Sequence, residues 1–275
     1  MAALDRRRIP APEISHAPTY EPLSSQAGPS RTDRSDLESR PICPSSLFVL
    51  DSVTDTRWIV LKTGLISQAN GSAYIEAGGT KIACSVYGPR PKQPPYSPEG
   101  TLSLEVKFAP FASDPRRAPL RDTEPLPLSN LLTQLLLPSL HLSAFPKAQL
   151  DIFLLVLESS SPASVLSAGL TVASAAVADA GVEMGGMGVG AVVAKLEEGR
   201  NLVDPSKDEE AESKARAVVG GMPALGKITN MWLEGEVPVS EACDMIETAL
   251  ASTRETHTVL AQAIIEGVEE RGLGL

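Results

Sequence analysis

The sequence predicts an α+β fold, sheets with helices packed on one face, preceded by a disordered tail. Three observations predict it. The tetrad Ala77-Gly78-Gly79-Thr80 sits between two β-prone runs, as in a hairpin. An Ala-rich stretch at 164–180 has side chains small enough for a helix to lie close against a sheet. The elements then follow in the order strands, helix, strand, helix, strands, helix, which suits layered sheets and helices and no repeat array. A chain of 275 residues buries a sizeable core, so a short disulfide-stapled scaffold is excluded.

Residues 1–55 are expected to form the tail. Prolines 10, 12, 18, 22, 29, 41 and 44 are scattered among Ser, Arg and Asp, and the only apolar cluster is Leu47-Phe48-Val49-Leu50. Such a composition buries too little to offset the entropy of ordering. A folded domain is expected over 56–275. After the hairpin, residues 89–100 carry five prolines and should form an exposed loop, and 102–108 alternate apolar with polar residues like a half-buried strand. A buried helix is expected at 129–142, ended or kinked by Pro138. Residues 149–157 suggest a fully buried strand, and Gly181 should stop the Ala-rich helix. A Val/Ala/Gly strand at 188–196 and a strand pair within 215–233 follow. A long amphipathic helix closes the chain at 240–271, with Ser240 as its expected N-cap.

Aromatic residues make up only 4% of the chain, while hydrophobic residues reach 43%, so small side chains must fill much of the core. The formal charge is −10, which argues against a general polyanion binder. The distribution is uneven. Residues 56–121 hold nine basic side chains against four acidic, whereas 122–275 hold nine against twenty-two. A basic first part on an acidic molecule can hold a phosphodiester backbone locally, and Arg116-Arg117 is the densest point. Set against this is a set of surface cations spread over several faces, and no aromatic platform accompanies the charge. Arg6-Arg7-Arg8 reads either as an import or RNA-touching arm or as solvated charge.

Catalytic signatures are sparse. No nucleophile elbow, P-loop or dinucleotide fingerprint occurs, and His16, His141 and His257 share no metal-like spacing. The three cysteines, 43, 84 and 243, are widely spaced and expected to be reduced and inert. The glycine-rich run 185–190 follows a helix and leads into a strand, the wrong order for cradling phosphate, so a tight connection is expected. The acidic run Asp204-Pro-Ser-Lys-Asp208-Glu209-Glu210 has carboxylates for a divalent ion but no visible convergence, and a solvated loop is the plainer expectation. No cofactor is expected. No uninterrupted apolar run reaches about 18 residues, and Met1-Ala-Ala-Leu-Asp-Arg-Arg-Arg lacks an apolar stretch, so a soluble, unsecreted chain with no membrane partner is expected.

Several segments together resemble the RNase PH family, and within it the catalytically silent RNase PH-like ring subunits of the eukaryotic RNA exosome, the mRNA-transport (Mtr) type in particular. The resemblance is carried by Gly71-Ser-Ala, Gly78-Gly-Thr-Lys81 and Gly88-Pro-Arg90, then Phe108-Ala-Pro-Phe-Ala112 with Arg116-Arg117. Phe145-Pro-Lys-Ala-Gln-Leu150, Ala178-Asp-Ala-Gly-Val-Glu-Met184 and Asp204-Pro205 complete it. It runs from about Arg57 to the C-terminus and implies the RNase PH-like fold (ribosomal protein S5 domain 2-like).

In phosphorolytic members, an arginine on the central helix of the first half binds phosphate, and two acidic residues six apart follow a later strand. Here Gln134, or another uncharged residue of 131–137, takes the arginine's place, and a neutral amide cannot replace a bidentate guanidinium. Asp204 matches the first acidic position and Glu210 stands at the second, so a vestigial acidic site remains. The Asp-Gly-Gly turn common after the fourth strand is replaced by Glu158-Ser-Ser-Ser-Pro162.

The resemblance therefore implies a non-catalytic segment of a six-membered ring that threads single-stranded RNA toward a separate nuclease. Its partners would be other RNase PH-like ring subunits and an S1/KH-type cap subunit, in nucleus, nucleolus and cytoplasm. Arg116 and Arg117, with Arg90 and Lys107 behind them, are the expected RNA contacts, acting on phosphate charge. A phosphate-dependent 3′–5′ exoribonuclease and a stand-alone RNA-binding adaptor are the competing functions.

Overall fold

The computed structural model describes residues 42–44, 57–92, 96–112, 125–196, 199 and 201–271. Within them, residues expected to belong to the tail, Ile42–Pro44, form β1; the rest of 1–56 lies outside the described residues. The strands β2 (Arg57–Thr63), β3 (Gly71–Ala77), β4 (Thr80–Pro91), β5 (Thr101–Phe108) and β6 (Ala148–Glu158) complete a sheet in the order β1-β2-β3-β4-β6-β5. Gly78, at φ +56, opens the two-residue turn between β3 and β4, as the sequence suggests. β4 continues through Pro91, into the segment expected to be loop, after a register shift between Tyr87 and Arg90.

β5 and β6 pair in parallel, joined by a crossover through α1 (Leu126–Leu136). α1 starts three residues before the expected position, because Pro127 fits the first turn of a helix, where no N–H partner is needed. Its α-helical part ends before Pro138, which lies in a short 3-10 turn. β6 is not buried on both faces. Leu150, Ile152, Leu154 and Val156 point into the core, while Leu155 is 43% exposed on the outer face.

α2 (Pro162–Asp179) is buried almost all round, so its pattern carries no polar stripe. By length and mean hydropathy it suffices to cross a membrane, although serines and a threonine interrupt its apolar run, and 78% of it is buried inside the domain. It packs against β3 and β4 on one side and β7 (Val189–Leu196) and β9 (Ser213–Met222) on the other. β8 (Asn201–Val203) and β10 (Lys227–Gly235) complete a second sheet, ordered β10-β9-β7-β8. α4 (Val239–Glu270) covers the opposite face of β7 and β9, and also reaches β2. The helices thus lie on one face of the six-stranded sheet, as expected, but on both faces of the four-stranded one. Gly190 makes the close approach possible: a Cβ there would meet the Ser167 backbone of α2 at 2.5 Å.

α4 begins at Val239 after Pro238, with no side-chain cap, so Ser240 is not its N-cap. Glu241 in its first turn instead pairs at 2.9 Å with buried Lys195 of β7.

The core thiol Cys84 gives a pH prediction. Burial raises its pKa far above the ordinary thiol value. The unfolded chain loses that proton above about pH 8.5 and the folded chain holds it, so stability should fall as pH rises, by roughly 1.4 kcal/mol per unit. Urea melts at pH 7.5 and 10 should show a smaller loss for Cys84→Ala than for the parent; equal losses would place the alkaline sensitivity elsewhere.

Candidate nucleic-acid interface and acidic site

Arg90 stands exposed at the end of β4, opposite Gln149 of β6. Its guanidinium lies over the Tyr87 ring at 5.1 Å, and Tyr87 meets Phe153 edge-on at 5.8 Å. Lys107 is exposed on β5 opposite Leu155 and pairs with Glu105 at 3.3 Å. Along β6 these partners are six residues apart, about 20 Å, so the fold sets Arg90 and Lys107 at opposite ends of the sheet. Arg116 and Arg117 lie outside the described residues.

The fold gathers other cations beside Arg90. The β4–β6 ladder continues with the Lys92 N–H donating to the Lys147 carbonyl at 3.0 Å, and the Lys147 ammonium sits 5.8 Å from the Tyr96 ring centroid. Lys147 adopts φ 61, unusual for a side chain of its size. Arg90, Lys92 and Lys147 thus share one end of the sheet, a grouping that only the strand register brings about.

Asp204 follows β8 at φ 54, with its N–H donating to the Val192 carbonyl at 2.9 Å. Ser206 and Glu209 form a reciprocal capping pair at the start of α3 (Lys207–Ala211), with the Ser206 N–H reaching Glu209 Oε2 at 2.8 Å. Glu210 points inward and is only 7% exposed, contrary to a solvated acidic loop. Its Oε1 accepts from Arg216 of β9, while its Oε2 is buried without a hydrogen bond. Arg216 also donates to Glu234 from Nε at 2.8 Å and lies 5.7 Å from the Trp232 centroid. Burial opposes the Arg216 charge, but the bonds to Glu234 and Glu210 and their negative charges outweigh it and raise the pKa. The second acidic position is therefore occupied by the protein's own cation.

The serines that replace the Asp-Gly-Gly turn are also committed internally. Ser159 donates to the Ala112 carbonyl at 2.9 Å, Ser160 meets the Thr80 hydroxyl at 3.5 Å, and Ser161 closes a capping box with Ser164 at the start of α2. Gln134, at the place of the phosphate-binding arginine, is an exposed amide on α1. No cluster of three or more metal-ligating side chains occurs among the described residues.

The motifs that carry the resemblance turn out to be packing devices. A Cβ on Gly71 would lie 2.3 Å from the Ala176 carbonyl and the Ala180 nitrogen, so Gly-Ser-Ala lies directly against Ala-Asp-Ala-Gly. Asp179 accepts the Ser72 N–H at 2.9 Å and pairs with Arg271 of the C-terminal helix end at 2.5 Å.

Residues 55–183 match the 3′ exoribonuclease family, domain 1, and residues 186–252 match its domain 2. The chain is 33% identical to the human exosome complex component MTR3, covering 98% of this chain and 97% of that one. It is 31% identical to the Chaetomium thermophilum MTR3 over 96% of this chain and 99% of that one. The exosome complex component Rrp41 of Thermoplasma acidophilum is 30% identical over 81% of this chain and 90% of its own length. Among solved structures, rice Rrp46 superposes with a TM-score of 0.66 at 19% identity, covering 75% of this chain and 93% of that one. The Archaeoglobus fulgidus exosome with RNA bound to the active site gives 0.62 at 16%, covering 73% and 87%. With both family domains matched in sequence and the same fold in space, the chain belongs to the 3′ exoribonuclease family, that of RNase PH.

Proposed function

We propose that this chain is a structural subunit of the RNA exosome ring, forming part of the channel that threads RNA for 3′–5′ processing and decay, and not itself a phosphorolytic nuclease. The observation that carries this is end-to-end similarity to exosome complex component MTR3 of two distant organisms. The site geometry supports it. A phosphorolytic centre needs a cation for inorganic phosphate and acidic groups open to the reacting end; here Gln134 is neutral and Glu210 is held by Arg216. Rrp41 relatives in the same family leave catalysis to be tested directly.

Its partners in this reading are other RNase PH-like ring subunits, an S1/KH-type cap subunit and single-stranded RNA, in nucleus, nucleolus and cytoplasm. Arg116, Arg117, Arg90 and Lys107 supply positive charge to the RNA path. Arg90 and Lys107 would touch separate stretches of it, since they sit at opposite ends of the sheet.

Native mass spectrometry of the tagged protein, purified gently from its own cells, tests the assignment. A complex containing other RNase PH-like chains is expected; a monomer or homo-oligomer overturns it. Incubation with RNA and phosphate is expected to release no nucleoside diphosphates. Release that Asp204→Ala abolishes would establish the nuclease instead.

A further inference from the structure

Of the four asparagines in the chain, only Asn70 is followed by glycine. No side chain shields the nitrogen of a glycine, so that nitrogen can attack the asparagine Cγ. The Cγ–Nδ2 bond then breaks, ammonia leaves with the proton from the glycine nitrogen, and a five-membered succinimide forms. Water opens the ring at either of its two carbonyls. Opening at Cγ gives aspartate, and opening at the main-chain carbon gives isoaspartate, whose backbone runs through Cβ and Cγ. Either way one water is consumed, one ammonia is released, and nothing is oxidised or reduced.

The two reacting groups lie in different surroundings. Asn70 is exposed, at the end of the turn that leads into β3. Its Oδ1 accepts the Gly88 N–H at 3.1 Å, and its own N–H donates to the Val86 carbonyl at 3.0 Å. Gly71 is buried, with its backbone so close to α2 that a Cβ would stand 2.3 Å from the Ala176 carbonyl oxygen. Ser72 is held three ways: its N–H donates to Asp179, its carbonyl accepts the Gly64 N–H and its hydroxyl accepts the Ile66 N–H, each at 2.9 Å. Ring closure must shorten the distance from the Gly71 nitrogen to Asn70 Cγ from non-bonded contact to a bond of about 1.4 Å. That movement releases Gly88 and turns the Gly71 nitrogen against the bonds that fix Ser72.

We propose that Asn70-Gly71 is a deamidation site closed by the fold, reacting when β3 opens from α2, and that isoaspartate formed there keeps the strand and helix apart. The extra main-chain carbon lengthens the entry to β3 by about 1.5 Å. It does so where the backbone has no room for a methyl group. Aspartate keeps the chain length, and its carboxylate accepts the Gly88 N–H as the amide oxygen does, so the two products differ in consequence. The inference rests on the packing of this chain and not on ring membership.

The test ages the full-length protein at pH 8 and 37 °C, in buffer and in guanidinium chloride. Trypsin cuts after Lys62 and Lys81, and the 63–81 peptide holds no other asparagine, so mass spectrometry follows Asn70 alone. Electron-transfer fragmentation separates aspartate from isoaspartate. Deamidation is expected to run at least tenfold slower in buffer than in denaturant. Arg271→Ala, which takes the ion pair from Asp179, should speed it at least threefold in buffer and leave it unchanged in denaturant. After transfer from denaturant back to buffer, the monomeric fraction should retain the aspartate form and be depleted of isoaspartate relative to the aged pool. Equal rates in buffer and denaturant, or a rate in buffer indifferent to Arg271→Ala, overturn the closure by this contact. Isoaspartate carried into the monomeric fraction in the proportion of the pool overturns the separation of β3 from α2.

Discussion

Arg216→Ala is expected to lower the stability of the domain by about 3 kcal/mol, because it leaves the Glu210 carboxylate buried without a counter-charge. For a domain of this size that is a fall of roughly 6–12 °C in melting temperature. The asymmetry of the pair sets the size of the effect. The Glu210 side chain is 4% exposed against 29% for Arg216, so removal of the arginine strands the deeper partner. Glu210 Oε2 already lacks a hydrogen bond and has no reserve of neighbours to turn to. Loss of the Arg216 contact to the Trp232 ring and of the bond to Glu234 adds to the effect, but both lie nearer solvent and weigh less. Adding Glu210→Gln to Arg216→Ala should recover a substantial part of the loss, since an amide does not carry the stranded charge. Differential scanning calorimetry of the two variants checks both statements. A single variant melting within about 1 °C of the parent would mean that the carboxylate is hydrated in solution and that the second acidic position remains open.

The same pair marks the limit of what the residues reveal on their own. The acidic run 204–210 contains a Ser-x-x-Glu capping signature, Ser206 to Glu209, which accounts for part of its charge locally. The pairing of Glu210 with Arg216, by contrast, depends on how the chain turns from α3 into β9, and the sequence does not carry that turn. Arg90 and Lys147 share one end of the sheet for a similar reason: 57 positions apart in the chain, they are brought there by the β4–β6 register alone.

Elements with local causes were easier to read. The β3–β4 hairpin has its glycine turn, and α2 has a run of small residues with a glycine stop at φ +70. Boundaries and burial were harder. β6 resembles a fully buried strand because its outer face also carries Phe153, Leu155 and Leu157, apolar groups that the isolated domain leaves partly uncovered. The start of α4 misleads because Ser240 is a good capping residue by type, while extended Pro238 takes the N-cap position and Val239 is already helical. Gly71-Ser-Ala was singled out by resemblance alone, and the packing gives it a physical reason.

That reason yields the second large effect. Gly71→Ala is expected to destabilise the domain by about 3 kcal/mol, the upper end for overpacking a core. The added methyl would stand 2.3 Å from the Ala176 carbonyl oxygen and the Ala180 nitrogen and 2.7 Å from the Ala180 Cα. All three are backbone atoms, so no side chain can rotate away; either β3 or the end of α2 must move. Movement there breaks more than van der Waals contact. Ser72, the next residue, donates its N–H to Asp179, and its hydroxyl accepts the Ile66 N–H at 2.9 Å. Asp179 in turn holds Arg271, whose Nε donates to the Gly267 carbonyl at 2.9 Å. A shift of half an ångström or more at Gly71 thus strains a clasp that joins β3, α2 and the end of α4. Arg271→Ala leaves the Asp179 carboxylate, whose side chain is 3% exposed, with the Ser72 N–H alone, so it too should cost about 3 kcal/mol. The pattern of loosening is the test. Thermal melts should place Gly71→Ala well below the parent, and amide exchange in Gly71→Ala should speed up in β3 and the last turn of α2 together. If Gly71→Ala melts with the parent, the strand and helix yield without cost, and the contact of Gly-Ser-Ala with Ala-Asp-Ala-Gly does not require the missing Cβ.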